Sequence, residues 1–252
     1  MLSVLNLSVS IGSTPILKDI SLNILPGEMV GVIGPNGSGK TTLFNAISGF
    51  VPITNGAISF NGESVTSLPA HERSRLGIGR VFQNPGIFRD LTVGENIQIA
   101  LERNASVVQS LNPWSAISRN ARSKVSEWLS LVSLEAAVDK LAGALSGGQL
   151  RLLEMVRTLA FGAELFLLDE PTAGVSPKMK CDIERLIVEL GKRGKTVLII
   201  EHDLAFIQRF CRRIIVLEQG SIALDGTPEI VRNDPKLQQI YFGGAVSSVA
   251  AV

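Results

Sequence analysis

The sequence predicts an α/β fold with a mixed sheet core, an antiparallel β part at the N-terminus and an inserted α-helical subdomain. Three observations lead there. Residues 165–168 and 196–200 are short continuous apolar runs, the pattern of parallel strands covered on both faces. The opening segment instead distributes Leu2, Val4, Leu5, Leu7, Val9 and Ile11 in the largely alternating manner of a strand with one wet face. From about residue 93 to residue 162 strand signals nearly vanish, and Glu127, Trp128, Leu129, Leu131 and Val132 lie in a helix-like stretch.

Taken in order, Gly12-Ser13-Thr14-Pro15 turns the first strand into a second that carries Ile20, Leu22 and Ile24. Residues 28–33 read as a buried parallel strand and residues 42–47 as a helix. Residues 56–62 suggest a short strand and turn, and residues 78–82 another strand, ending at Gln83. After the helical part the sheet resumes with 165–168 and 196–200, joined through a helix. Residues 213–218 and 221–224 read as a hairpin around Gln219-Gly220. A last helix takes Thr227 as N-cap and Pro228 as its first residue. The division expected is one domain over 1–252, with a core of 1–86 and 164–252 and a helical subdomain of 87–163.

At 252 residues and 45% hydrophobic content the chain is long and apolar enough for a large core. Its net charge of +1 supplies no general basic field, so no nucleic-acid partner is expected. Cys181 and Cys211 have neither metal-ligand spacing nor a disulfide framework, which suits a reduced, cytoplasmic setting in which both thiols serve packing. No apolar run has the length of a membrane span or the form of a secretory leader. A mean hydropathy of +0.29 is high for such a chain and hints at surface covered by other subunits.

Chemistry enters between the strand 28–33 and the helix after it. Gly34-Pro35-Asn36-Gly37-Ser38-Gly39-Lys40-Thr41 is a complete G-x-x-x-x-G-K-[ST] loop, with Thr42 following. Glycines let successive backbone N–H groups face phosphate oxygens, Lys40 adds a cation, Thr41 offers a hydroxyl to Mg²⁺, and the helix N-terminus favours an anion. The ligand read from these residues is a nucleoside triphosphate. Asp169 and Glu170 follow the strand 165–168, at the ligand edge of an open α/β sheet. Asp169 can reach Mg²⁺ directly or through water, and Glu170 can polarise the attacking water. In Leu145-Ser146-Gly147-Gly148-Gln149, Ser146 and Gln149 form a plausible capping box. Two adjacent glycines weaken a helix start by about 1 kcal/mol each, which points to a second anion site serving a nucleotide on another chain.

These motifs, with Gln83 and with His202 in Ile200-Glu201-His202-Asp203, occur in an order that resembles the ATP-binding cassette (ABC) ATPases over nearly the full length. The resemblance implies a P-loop NTPase fold, and two cassettes that sandwich two ATP molecules, as a homodimer or a paralogous heterodimer. It implies that Ser146, Gly147, Gly148 and Gln149 meet the nucleotide of the opposite cassette, that Gln83 touches Mg²⁺ or the attacking water, and that His202 bonds the γ-phosphate. Gln83, Glu170 and His202 are thus the expected catalytic residues, and Thr41, Gln83 and Asp169 the expected metal contacts. Two positions depart from the family pattern. Ile11 stands where an aromatic often stacks on adenine, which suggests loose base selectivity, and Ser176 stands where many members carry aspartate.

Residues 80–84, 88–96, 201–203, 216–220 and 226–229, with the ending 239–243, are similar to the ATPase subunits of branched-chain amino-acid importers. That resemblance implies a subunit peripheral on the inner face of the cell membrane, with transmembrane permease partners and, indirectly, a solute-binding protein. Residues 84–88 are the candidate docking segment, with Phe88 either in that contact or in the core. The alternative is a non-transport ABC ATPase acting on ribosomes or DNA, which commonly joins two cassettes or carries long coiled coils; this chain has one cassette and no sustained heptads. A binding module without turnover is disfavoured because Glu170 and His202 are both present.

Overall fold

Apolar side chains at period two decide which face of each strand is covered, and in the computed structural model they divide the protein between two cores. The structure describes residues 1–102, 119–235 and 237, so the sequence similarity noted at 239–243 lies outside the described residues.

β1 (Leu2–Ile11) and β2 (Thr14–Ile24) form an antiparallel hairpin. After β3 (Met29–Ile33) and α1 (Lys40–Ser48), the strands β4 (Asn55–Phe60) and β5 (Glu63–Ser64) complete a four-stranded sheet in the order β2-β1-β4-β5. α2 (Ala70–Leu76) leads into β6 (Ile78–Val81). The helical part contains α3 (Val93–Leu101), α4 (Arg119–Ser130) and α5 (Gly147–Ala160). Then follow β7 (Leu165–Asp169), α6 (Pro177–Lys192), β8 (Thr196–Ile200), α7 (Leu204–Phe210), β9 (Arg213–Glu218), β10 (Ser221–Gly226) and α8 (Pro228–Asn233). The second sheet runs β10-β9-β3-β8-β7-β6, parallel throughout except for β10 at one edge.

Alternate residues of the six-stranded sheet enter different cores. Val30, Val32, Leu165, Leu167, Leu198 and Ile200 face the antiparallel sheet, with Leu43, Phe44 and Ile47 of α1 packed between. Phe166, Leu168, Val197 and Ile199 face the other way, against α5, α6 and α7. Every central strand is therefore apolar on both sides, as its unbroken run predicts. The main sheet places β3, β8, β7 and β6 side by side, so the segments following their C-terminal ends leave along one edge.

Several expectations change in detail. The antiparallel part forms a separate sheet, because β1 pairs across to β4 with Val4 opposite Ile58. The first turn uses Gly12 and Ser13 alone, since Thr14 already pairs with Ile11. The first helix starts at Lys40, and α2 and α7 are short helices beyond the sequence reading. Phe88 is 51% exposed, which removes it from the core, and Cys181 is exposed whereas Cys211 is buried and its thiol pushed up to about 12 by burial.

α1 is fixed at its far end by Arg73 of α2. Its guanidinium donates to the carbonyls of Ala46 at 2.6 Å, Ile47 at 2.9 Å, Leu68 at 2.8 Å and Thr66 at 2.9 Å. Two of those carbonyls belong to the last turn of α1, where Ala46 O has in addition only a long 3.3 Å bond from the cap Gly49 N–H. Burial lowers the Arg73 pKa, so the fork is held by its acceptors without a carboxylate. Arg73→Ala is expected to remove about 2–4 kcal/mol of stability in chemical denaturation, through orphaned buried carbonyls. Arg73→Lys should recover only part, because an ammonium cannot reproduce the planar fork.

Candidate functional site

The loop between β3 and α1 is shaped by positions that exclude a side chain. Gly34 has φ +153°, and a Cβ there would lie 2.2 Å from the Leu217 carbonyl oxygen. Gly39, the N-cap of α1, has φ +103°, and its Cβ would meet Leu17 Cδ2 at 2.6 Å. Lys40 Nζ donates to the carbonyls of Gly34 at 2.8 Å and Pro35 at 3.0 Å. The cation thus lies across its own loop. Burial lowers the Lys40 pKa, while Glu170 and Asp169 oppose that shift. Ser38 Oγ is buried without a hydrogen-bond partner among the described residues. An unpaired hydroxyl beside a lysine and a helix N-terminus suits a phosphate-bearing ligand.

β7 ends in Asp169 and leads into Glu170, whose environments differ. Asp169 is buried and ion-paired to Arg80 at 2.7 Å, so its carboxylate is already partly committed. Burial raises the Asp169 pKa and Arg80 pulls it down; Glu170 adds to the rise, and a hydrogen bond from the Thr41 side chain opposes it. Arg80 also lies over the rings of Phe44 at 4.9 Å and Phe82 at 5.4 Å, which holds its plane in place. Thr41 and Asp169 together make a sparse oxygen set. It suits Mg²⁺, which takes one or two protein oxygens and completes its shell with phosphate and water. Among the described residues no group of three or more histidine, cysteine or acidic side chains forms a closed metal cage.

Glu170 adopts φ +48°, a left-handed conformation that side chains rarely take. Its N–H donates to Ile200 O of β8 at 2.9 Å, and its carbonyl accepts from Arg151 of α5 at 2.6 Å. The same guanidinium donates to the carbonyl of Gln83. Two residues on, Thr172 donates through its N–H at 2.9 Å and its hydroxyl at 2.7 Å to Glu201 Oε1. Held in this way, the Glu170 carboxylate accepts from Gln83 Nε2 at 3.2 Å and lies 3.0 Å from His202 Nε2. The structure therefore joins Gln83, Glu170 and His202, following the ends of β6, β7 and β8.

Ser146, Gly147, Gly148 and Gln149 open α5. Ser146 Oγ accepts from Gln149 N at 3.4 Å and Gln149 Oε1 accepts from Ser146 N at 3.0 Å, so the capping box is formed. The two glycines have different reasons. A Cβ at Gly148 would lie 2.8 Å from Met179 Cγ, so packing within the chain accounts for that glycine. A Cβ at Gly147 would meet nothing within 4 Å, and this backbone stands open. Ser176 caps α6 by accepting from Met179 N at 3.4 Å, and Ile11 is 60% exposed at the hairpin end.

Sequence reasoning missed Arg80, Arg151, Glu154, Arg157 and Glu201 as organisers. Arg151, Glu154 and Arg157 recur at spacing three inside the Leu150–Leu159 stretch, which apart from them and Thr158 is apolar, and charges so placed on a core helix are a detectable signal. Glu154 is 1% exposed. Burial pushes its pKa up to about 7, against the Gly86 N–H bond and the Arg157 charge.

A family model described as ABC transporter matches residues 17–173. The chain belongs to that family. The branched-chain amino acid transport ATP-binding protein BraF of Pseudomonas aeruginosa is 36% identical over 251 residues, covering 97% of this chain and 98% of BraF. The lipopolysaccharide export system ATP-binding protein LptB of Haemophilus influenzae is 39% identical over 238 residues, covering 94% and 95% of the two chains. Among solved structures, the ADP conformation of MJ1267, an ATP-binding cassette of an ABC transporter, superposes with a TM-score of 0.83 at 34% identity, covering 96% of this chain and 98% of that one. The cassette is thus an ATP-binding, ATP-hydrolysing subunit of a transporter. No helix among its described residues is long and apolar enough to cross a membrane.

Glu154 yields a pH prediction with a definite sign. Its folded pKa of about 7 exceeds the usual 4.5, so the folded state binds the extra proton and stability falls as pH rises from about 4.5 through 7. Glu154→Gln removes that titration. Chemical denaturation should show the mutant gaining on the parent by about 1–3 kcal/mol between pH 5 and pH 8. A difference that is flat with pH would assign the Glu154 carboxylate an ordinary affinity for protons.

Proposed function

We propose that this cassette energises the uptake of branched-chain amino acids or a related small solute, by binding ATP between two cassettes and hydrolysing it there. The observation that carries the hydrolytic part is the Glu170 carboxylate held between Gln83 and His202 beside the phosphate loop. Residues 34–42 grip the phosphates, with Lys40 moving from its own loop carbonyls to the terminal phosphate oxygens. Thr41, Gln83 and Asp169 would hold Mg²⁺, which when bound would offset negative charge on the phosphates. Glu170 orients the attacking water and accepts its proton, and His202 bonds the γ-phosphate. Exchange of the Gln83 and His202 contacts for water and phosphate needs only side-chain motion, because the Glu170 backbone is already fixed.

The second cassette supplies Ser146, Gly147, Gly148 and Gln149, whose open helix start suits an anion from outside the chain. The assembly sits on the inner face of the membrane with permease subunits, and a solute-binding protein delivers the cargo. Residues 84–88, with Phe88 exposed, form the contact with the permease. The likeness to BraF favours uptake. The likeness to LptB favours a second reading, in which the same cassette powers export of a lipid-linked molecule.

Glu170→Gln should keep ATP affinity within about twofold, lower turnover by about a hundredfold and accumulate an ATP-bound dimer in size-exclusion chromatography. Near-normal turnover would remove Glu170 from the role of base. Ser146→Arg should leave ATP binding intact and abolish hydrolysis, and mixing it with Lys40→Ala should restore one composite site. In cells lacking the parent protein, uptake of labelled leucine should be lost and should return with the intact cassette. Unchanged uptake of leucine, isoleucine and valine with a defect in envelope lipid export would favour the second reading.

A further inference from the structure

The segment from Gln83 to Phe88 has no ladder of its own, and it is held in place by side chains from two helices. Arg151 of α5 donates to the Gln83 carbonyl. One turn on, Glu154 Oε1 accepts from the Gly86 N–H at 2.9 Å, and one turn further Arg157 Nη2 donates to the Gly86 carbonyl at 2.6 Å. At the far end Asn96 of α3, fully buried, accepts from Phe88 N at 3.1 Å and donates to Phe88 O at 3.0 Å. The Arg157 guanidinium also lies 5.4 Å from the centre of the Phe88 ring.

We propose that Glu154 and Arg157 are positioning residues for ATP cleavage: by gripping both polar groups of Gly86 they lock the Gln83 loop to α5, so that loop and helix move as one body. This rests on the reading that Gln83 and Glu170 act in hydrolysis. The physical case has two parts. A carboxylate that is 1% exposed is expensive to bury, and the two arginines that flank it on the helix, Arg151 and Arg157, both spend guanidinium N–H groups on carbonyls of the same loop, so all three charges converge on residues 83–86. What an apolar residue cannot do is satisfy the N–H of an irregular loop. Secondly, the grip lies on the helix that begins with Ser146 and also carries Arg151. A displacement at either end of α5 therefore reaches the Gln83 amide, which bonds the Glu170 carboxylate at 3.2 Å. The loop acts through Gln83, and the two clamp residues touch no reacting atom.

The test is steady-state ATP hydrolysis by the isolated chain, alongside binding of a fluorescent ATP analogue. Glu154→Ala should lower kcat by about tenfold, with affinity for the analogue unchanged within about twofold, since positioning errors act on the chemical step. Glu154→Gln, which keeps an oxygen acceptor for Gly86, should recover kcat to within about threefold of the parent. Arg157→Ala should lower kcat too, and the double variant should lose no more than about the worse single one, because both grips act on one residue. Should Glu154→Ala not fold, Arg157→Met carries the same expectation at a residue nearer the surface.

Parental kcat in folded Glu154→Ala, equal impairment of Glu154→Ala and Glu154→Gln, or losses that multiply in the double variant would each overturn the clamp. Glu170→Gln in the same series separates the two ideas. Its full loss together with parental turnover in Glu154→Ala sinks the clamp alone; its retention of turnover sinks the underlying reading, and the clamp with it.

Discussion

A single glutamate in a left-handed backbone conformation organises the edge of the main sheet. A φ of +48° at Glu170 costs a side-chain-bearing residue about 1 kcal/mol or more, and such a conformation persists only when its surroundings impose it. Here Ile200 holds the N–H, Arg151 holds the carbonyl, and Glu201 holds Thr172 just beyond. Strand β8, helix α5 and the segment after β8 thus converge on one turn. Among the described residues, its side chain is the one that bonds both Gln83 and His202.

The two adjacent carboxylates show how burial separates chemical tasks. Asp169 is sunk beneath the surface and balanced by Arg80, while Glu170 remains partly accessible with two neutral or ionisable partners around it. A buried, paired acid suits a fixed charge near a metal; an accessible one suits proton transfer. Lys40 completes the pattern from the opposite side, resting on its own loop carbonyls and drawn toward both acids.

Much of this was legible because it is local. The phosphate loop is eight consecutive residues, and strands β3, β7 and β8 are unbroken apolar runs that forecast a doubly covered parallel sheet. Asp169 and Glu170 could be placed on the ligand edge because they follow such a strand, whereas the roles of Gln83 and His202 came from the family resemblance. The separate antiparallel sheet was not legible, since the pairing of β1 with β4 joins Val4 to Ile58 across the whole phosphate-loop unit. The packing need at Gly148 was hidden for a similar reason. Its constraint is Met179, thirty-one positions away, and no rule of helix capping reveals that contact. Arg151, Glu154 and Arg157 escaped notice because charged residues on a helix ordinarily mark its wet face, whereas here they enter the core to hold a loop.

Under the proposed function, the reaction centre stays incomplete until a second cassette brings its Gly147 backbone to the nucleotide. Turnover number per chain, measured against total chain concentration with light scattering to follow mass, tests this most directly. The expected result is a turnover number that vanishes with dilution and rises with the dimer fraction to a plateau. A turnover number that stays constant down to concentrations where every molecule is a monomer would contradict the account.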